Sequence, residues 1–193
     1  MQSIVLPGEK VILRPMTEND WAILFKWNND PEILYFNEGD NISSYTLEEV
    51  QQIYRSVSQN AFCFIIEYHH KPVGECWLQQ MNLERILKKY PDRECRRIDL
   101  MIGEKSLWGT GFGTDTISVL TQFGFGNEQA DYIFGCDIAD YNRRSLRAFE
   151  KNGYQICAKI QQPIGEKAKY TYDVVLSADR YHREGRAVHP LPV

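Results

Sequence analysis

The sequence predicts a mixed α/β fold: a mostly antiparallel sheet with a parallel strand pair near its centre and helices on its flanks. Three observations predict it. Ala61 to Tyr68 is β-branched and aromatic, the chain turns at His70-Lys-Pro72, and Val73 to Gln80 returns, which makes an antiparallel hairpin. From Arg97 onward, strand-like and helix-like segments alternate, which requires right-handed crossovers and local parallel pairing. Gly109, Gly111 and Gly113 stand where a strand feeds a helix.

Taken in order, Val11 to Leu13 reads as a short strand. Thr17-Glu-Asn-Asp20 supplies an N-cap and an acidic first turn to a helix carrying Trp21, Leu24 and Phe25, which Asn28, Asn29 and Pro31 end. Thr46-Leu-Glu-Glu49 is a capping box, with Leu47, Val50, Ile53, Tyr54 and Val57 at helical spacing behind it. After the hairpin, residues 83 to 97 hold six basic residues, three acidic ones and Pro91, and read as a surface excursion without chemistry. Arg97 to Gly103 is a strand. Phe112 to Phe125 is a helix with Phe112, Thr116, Val119, Leu120 and Phe123 on one side. A strand (Tyr132 to Asp137), a loop to Asn142, a helix (Arg143 to Asn152) stopped by Gly153, and strands near Tyr154 to Ile160 and Lys169 to Leu176 complete the fold. The expected organisation is one domain over residues 1–180 with a tail at 181–193.

The 193 residues suffice for one substantial core, and 43% hydrophobic with 25% charged residues is ordinary for a packed protein. No stretch approaches the ~18 apolar residues of a membrane span, so neither membrane insertion nor export is expected and a cytoplasmic setting is. Cys63, Cys76, Cys95, Cys136 and Cys157 are widely spaced and suit reduced, buried thiols. His69, His70, His182 and His189 share no metal-ligand spacing with them, so no metal is expected. A net charge of −4 argues against nucleic acid. Between Trp27 and Tyr54 stand Asp30, Glu32, Glu38, Asp40, Glu48 and Glu49 with no Lys or Arg. They could form a cation-attracting wall, although taken alone they fit solvated faces of helix and loop better.

Leu107-Trp-Gly-Thr-Gly-Phe-Gly-Thr114 lets backbone N–H groups converge without Cβ obstruction just where a helix N-terminus adds about half a positive charge. A pyrophosphate fits such a turn, and so does a purely structural role. A Walker A loop is excluded, since no Gly-Lys-Ser/Thr follows, and the spacing departs by one position from a dinucleotide fingerprint.

Together with Asn142-Arg-Arg-Ser-Leu-Arg-Ala-Phe-Glu-Lys-Asn-Gly-Tyr154, about 30 residues on, this turn resembles the paired motifs of the GNAT acetyltransferase superfamily. Leu13-Arg-Pro-Met-Thr-Glu-Asn-Asp20, Tyr35-Phe36, Arg97-Ile-Asp99 and Asp137 narrow the resemblance, over residues 10 to 175, to the aminoglycoside 6'-N-acetyltransferases. The resemblance implies acetyl-CoA as co-substrate, held by Leu100, Met101, Ile102, Leu107, Trp108, Gly109, Thr110, Gly111, Phe112, Gly113, Thr114, Asn142 and Ser145. It implies a small cationic amine as acceptor, met by Tyr35, Phe36, Glu38, Asp99 and Asp137, in a monomer or homodimer.

Acetyl transfer from a thioester needs a neutral amine. An amine of pKa ~10.4 costs about 4–5 kcal/mol to deprotonate at pH 7 unless a carboxylate helps. Asp99 is the expected base, and backbone N–H groups near Leu100 and Met101 are the expected oxyanion donors. One residue departs from the family pattern: Phe149 replaces the tyrosine that commonly protonates the thiolate, which leaves Tyr141, Tyr154 or water for that step. Acceptors other than an aminoglycoside, namely a protein N-terminus, a polyamine or a siderophore precursor, fit the same chemistry, and Phe149 also admits a noncatalytic acyl-CoA-binding domain.

Overall fold

The structure, a computed structural model, describes residues 4–37 and 44–185. The hairpin at residues 61–80 is the middle of a single eight-stranded sheet. Its strands are β1 (Leu6–Pro7), β2 (Ile12–Pro15), β3 (Ala61–Tyr68), β4 (Lys71–Gln80), β5 (Cys95–Ile102), β6 (Tyr132–Ala139), β7 (Gln155–Gln161) and β8 (Tyr170–Ser177). The spatial order is β1-β2-β3-β4-β5-β6-β8-β7, antiparallel throughout except for β5 and β6. That parallel ladder covers Cys95 to Arg97 against Tyr132 to Phe134 and goes no further, so the two strands part beyond it.

The alternation that forces this crossover places α5 (Phe112–Gly126) and α6 (Arg143–Lys151) on one face of the sheet. Phe112, Ile117, Leu120 and Phe123 of α5 are buried there against Phe64, Leu78 and Ile133, forming the main core. On the other face, α1 (Trp21–Trp27), α2 (Pro31–Asn37) and α3 (Leu47–Val57) cover the near half, packing Leu24, Trp27, Ile33, Val50 and Tyr54 on Ile65 and Met101. The helix α4 (Glu84–Lys89) covers the far half through Ile86 and Phe134. Asp99 belongs to neither apolar cluster. Opposite Trp77 in the β4–β5 register, it lies between them.

Four elements differ from expectation. Pro31 does not end the helical region; it occupies the first position of α2, where its missing N–H is no loss, and Asp30 Oδ1 accepts from the N–H of Glu32 (3.0 Å) and Ile33 (3.4 Å). The stretch at 83–97 is no plain excursion, because Ile86 is buried and anchors α4. β1 is only two residues long, too short for a periodicity to register. Residue 181 lies inside α7 (Ala178–Arg183), where Tyr181 is buried with its ring 5.0 Å from that of Phe125. The five cysteines are free thiols, with Cys63, Cys76 and Cys95 buried, as their spacing suggests. No helix among the described residues is long and apolar enough to cross a membrane.

Candidate active site

Where β5 and β6 part, a cleft of about 280 Å³ opens. Its floor is the end of β5, Leu100, Met101 and Ile102, one edge of which has left the parallel ladder. One wall is the glycine turn, with Leu107, Trp108, Gly109, Gly111, Gly113 and Thr114 lining it, and the opposite wall is the start of α6 with Asn142 and Ser145. Gly109 and Gly111 have φ of +77° and +99°, a backbone that a side chain strains. They turn the chain so that α5 begins at Phe112 with its first N–H groups lacking intrahelical acceptors beside the cleft. Asn142 caps α6, its Oδ1 accepting from the Ser145 N–H at 3.2 Å.

Two residues expected along the donor lie off the lining. Phe112 is buried against Tyr68, with rings 4.9 Å apart. Thr110 turns its hydroxyl onto the Leu107 carbonyl (2.6 Å), and its own carbonyl accepts from Lys10 Nζ (2.8 Å). Lys10 is held there from the far edge of the sheet. The Asp115 carboxylate, in the first turn of α5, accepts from the backbone N–H groups of Glu9, Lys10 and Val11.

Sequence reasoning missed the cationic wall. Arg144, Arg147 and Lys151 line the cleft at the three- and four-residue spacing that shares one helix face, a signal present in the α6 sequence. The Arg144 guanidinium also lies over the rings of Phe36 (4.4 Å) and Trp108 (4.1 Å), joining α2 to the glycine turn. Phe36 therefore lines the cleft, while Tyr35 packs outside it on Tyr141 (5.4 Å) and its carbonyl accepts from Lys167. Glu38 lies outside the described residues. Of the acidic segment, Asp30 and Glu32 are both paired to Lys105 (2.9 and 3.2 Å) and Glu49 completes its capping box, so these are satisfied side chains. The Lys105 bond holds the Asp30 carboxyl below the usual carboxylate range.

Asp99 stands one residue before the cleft floor. Its Oδ2 accepts from Arg97 Nε (2.8 Å) and Trp77 Nε1 (2.9 Å), and its Oδ1 from Arg97 Nη2 (2.6 Å). A carboxylate has about four acceptor positions, so one remains, on Oδ1. Asp137 lies across the strand gap in the β6 bulge, at φ +55°. Arg85 of α4 donates to it (2.8 Å) and to both oxygens of the buried Asp173 (3.0 Å each). Burial opposes the charge of Arg97, yet Asp99, and Asp137 beyond it, raise its pKa further.

Behind Asp99 is a group that sequence reasoning passed over. Glu75 faces Met101 across the β4–β5 ladder and is buried, with Oε2 lacking a hydrogen-bond partner. Burial, and then the Asp99 charge, push its carboxyl up to about 8 against the lowering bond from Tyr54. The Tyr54 hydroxyl itself accepts from Asn28 Nδ2 at 3.0 Å.

The tyrosine question at position 149 has a packing answer. The Phe149 ring fills the space over Gly135, where a Cβ would come within 2.5 Å of it, and meets the Tyr154 ring at 5.1 Å. Tyr154 is buried too, its hydroxyl 2.8 Å from Thr121 Oγ1, which takes it out of contention as an acid in the cleft.

The chain as a whole has counterparts among known proteins. The family described as acetyltransferase (GNAT) domain matches residues 10–155. The chain belongs to the GNAT acetyltransferase family. This makes it an acetyl-CoA-dependent N-acetyltransferase. Over 163 residues the acetyltransferase is 26% identical to aminoglycoside N(6')-acetyltransferase type 1 of Klebsiella pneumoniae, covering 82% of this chain and 80% of that one. The structure of AAC(6')-Ib with ribostamycin and coenzyme A superposes with a TM-score of 0.76 at 26% identity, covering 91% of this chain and 97% of the other. Spermidine N-acetyltransferase from Vibrio cholerae, with coenzyme A and spermine, shares the fold at 16% identity, with a TM-score of 0.72 and coverage of 90% and 98%.

Proposed function

We propose that this acetyltransferase moves the acetyl group of acetyl-CoA onto a primary amine of a cationic small molecule, the 6'-amine of an aminoglycoside being the acceptor that the names of its relatives point to. The reading is carried by Asp99: a carboxylate with one acceptor position left, one residue before the strand edge that floors the cleft. The donor's pyrophosphate lies at the first turn of α5, with Arg144, Arg147 and Lys151 as cationic neighbours. Its thioester lies along Leu100 to Ile102, where the unpaired strand edge offers N–H groups to the carbonyl oxygen.

The acceptor ammonium binds the remaining position of Asp99 and gives up its proton there. The neutral nitrogen attacks the thioester carbon, an N–C bond forms, and the C–S bond breaks as the tetrahedral oxyanion collapses. With a pKa near 8.5, the thiolate is a tolerable leaving group; the attacking nitrogen sheds its second proton through water to the departing sulfur, which accommodates Phe149. Asp99 then passes the amine's proton to solvent.

The test is thiol release from acetyl-CoA in the presence of kanamycin, spermidine or N-terminal peptides. Release with kanamycin that vanishes in Asp99→Ala, at unchanged acetyl-CoA affinity, is the expected result. Wild-type rates in Asp99→Ala would remove Asp99 as base, and release with none of the acceptors would leave a donor-binding domain.

A further inference from the structure

Asp99 and Asp137 stand on the two strands that part, both near enough to Arg97 and Cys136 to act on their charge, and each is already bound by an arginine of this chain: Asp99 by Arg97 on its own strand, Asp137 by Arg85 from α4. Arg85 also holds Asp173, whose side chain is 2% exposed. The cluster thus contains three carboxylates and two guanidiniums, one net negative charge. The ionisable neighbours beside it, Glu75 on β4 and Cys136 on β6, are neutral at pH 7 because burial disfavours their anions.

We infer that Arg85 and Arg97 set charge specificity at the acceptor site, so that an acceptor bringing several ammonium groups, an aminoglycoside included, is bound more weakly than the carboxylates alone would bind it, while an amine presenting a single ammonium is little affected. The inference rests on the reading above that Asp99 and Asp137 meet the acceptor. An arriving ammonium finds one open position on Asp99 and a net charge that it cancels. A second ammonium, directed at Asp137, meets a carboxylate whose charge is already offset by a guanidinium that is fixed by three hydrogen bonds, one to Asp137 and two to Asp173, and tethered to the fold. Arg85 is present because α4 carries it there, which assigns to the 83–97 segment a task in acceptor choice. Arg85 does not touch the reacting atoms; it acts by offsetting the charge of Asp137.

The experiment compares kanamycin, with several ammonium groups, and glucosamine, with one, by thiol release and by calorimetry on the acetyl-CoA-loaded protein. Arg85→Gln is expected to lower KM and Kd for kanamycin about ten-fold, as one added negative charge at short range in a partly buried site allows, while glucosamine changes less than two-fold and kcat stays in place. Arg85→Lys keeps the charge and should keep the wild-type preference, and Asp137→Asn added to Arg85→Gln should return kanamycin to its wild-type affinity. Because Arg85→Gln strands the buried Asp173, Arg97→Gln provides a second variant that strands no buried carboxylate, and it should tighten kanamycin binding similarly in calorimetry. A kanamycin-to-glucosamine ratio unmoved in both glutamine variants, or moved equally by Arg85→Lys, would overturn the inference. Tighter kanamycin binding without thiol release in any variant would uphold the charge selection and sink the acetylation of kanamycin.

Discussion

From Trp108 to Thr114 the cleft wall is largely backbone, whereas beyond the cleft floor Asp99 sits in a set of polar side chains drawn from β4, β5, β6, β8 and α4. The donor half needs only that a short stretch of chain turn sharply at Gly109 and Gly111 and enter a helix. The acceptor half needs Trp77, Arg85, Arg97, Asp99, Asp137 and Asp173 to converge across almost a hundred residues of sequence. Substitutions should therefore separate cleanly: changes in the turn act on the donor, changes in the charge cluster act on the acceptor, and sites this far apart should combine additively.

The largest effect falls in the acceptor half. Asp99→Asn keeps a polar group of the same shape beside Arg97 and Trp77 but cannot take the amine's proton. Loss of general base catalysis is expected to lower kcat by about 10²–10⁴-fold, with acetyl-CoA affinity by calorimetry unchanged. An equal loss of donor affinity would break the division between the halves.

The next concerns Glu75, and it reads out as stability. Its carboxyl ionises near 8 in the folded protein and at about 4.3 when unfolded, so the native state holds the extra proton in between. Stability from this group is complete below pH 4 and is lost as pH rises through 8. The groups facing it, Tyr54 from α3, Cys63 from β3, Cys76 on its own strand and Asp99 from β5, offer no cation to offset the charge. Glu75→Gln removes the ionisation, so thermal melts at pH 5 and pH 9 should differ by less in the variant than in the wild type. The gain at pH 9 is of the order of 5 kcal/mol. A wild-type pH dependence in the variant would show that Glu75 is ionised in the fold.

The same contrast explains what the sequence discloses. The glycine turn, the helix start at Arg143 and the β5–α5 and β6–α6 crossovers are local patterns, and each is found at the residues read from the sequence. Asp30-Pro31 carried an N-cap signal that was legible, yet proline as a helix terminator masked it. Arg85 was not legible. A charged residue in a basic stretch reads as solvated surface until folding shows that Asp173, 88 positions away, is buried beneath it. Glu75 escaped for a related reason: a single acid in an apolar strand reveals nothing about Asp99 until the β4–β5 register is known.

In the donor half, Gly111→Ala places a Cβ on a residue at φ +99°, 3.0 Å from Lys10 Nζ. Backbone strain of about 1–2 kcal/mol is expected, and because it falls on the turn that begins α5, acetyl-CoA affinity should weaken roughly ten-fold at constant KM for the acceptor. A shift in acceptor KM with unchanged donor affinity would reverse the assignment of the two halves.

The smallest effect tests how far the donor half extends. Lys10 is exposed, and among the described residues its ammonium bonds only a carbonyl of the turn, so Lys10→Ala costs stability no more than about 1 kcal/mol. The same ammonium stands 3.0 Å from where a Gly111 side chain would begin, beside the N-terminus of α5, and there it adds a positive charge for a phosphate. Acetyl-CoA binding should therefore weaken by about two- to five-fold in low salt and converge on the wild-type value as salt is raised, since an exposed charge is screened. Loss of affinity that persists at high salt would mean that Lys10 shapes the turn through the Thr110 carbonyl instead of acting as a charge. Asp115→Asn separates the two, because it loosens the loop that carries Lys10 without removing the ammonium, and only a shaping role predicts that it mimics Lys10→Ala at every salt concentration.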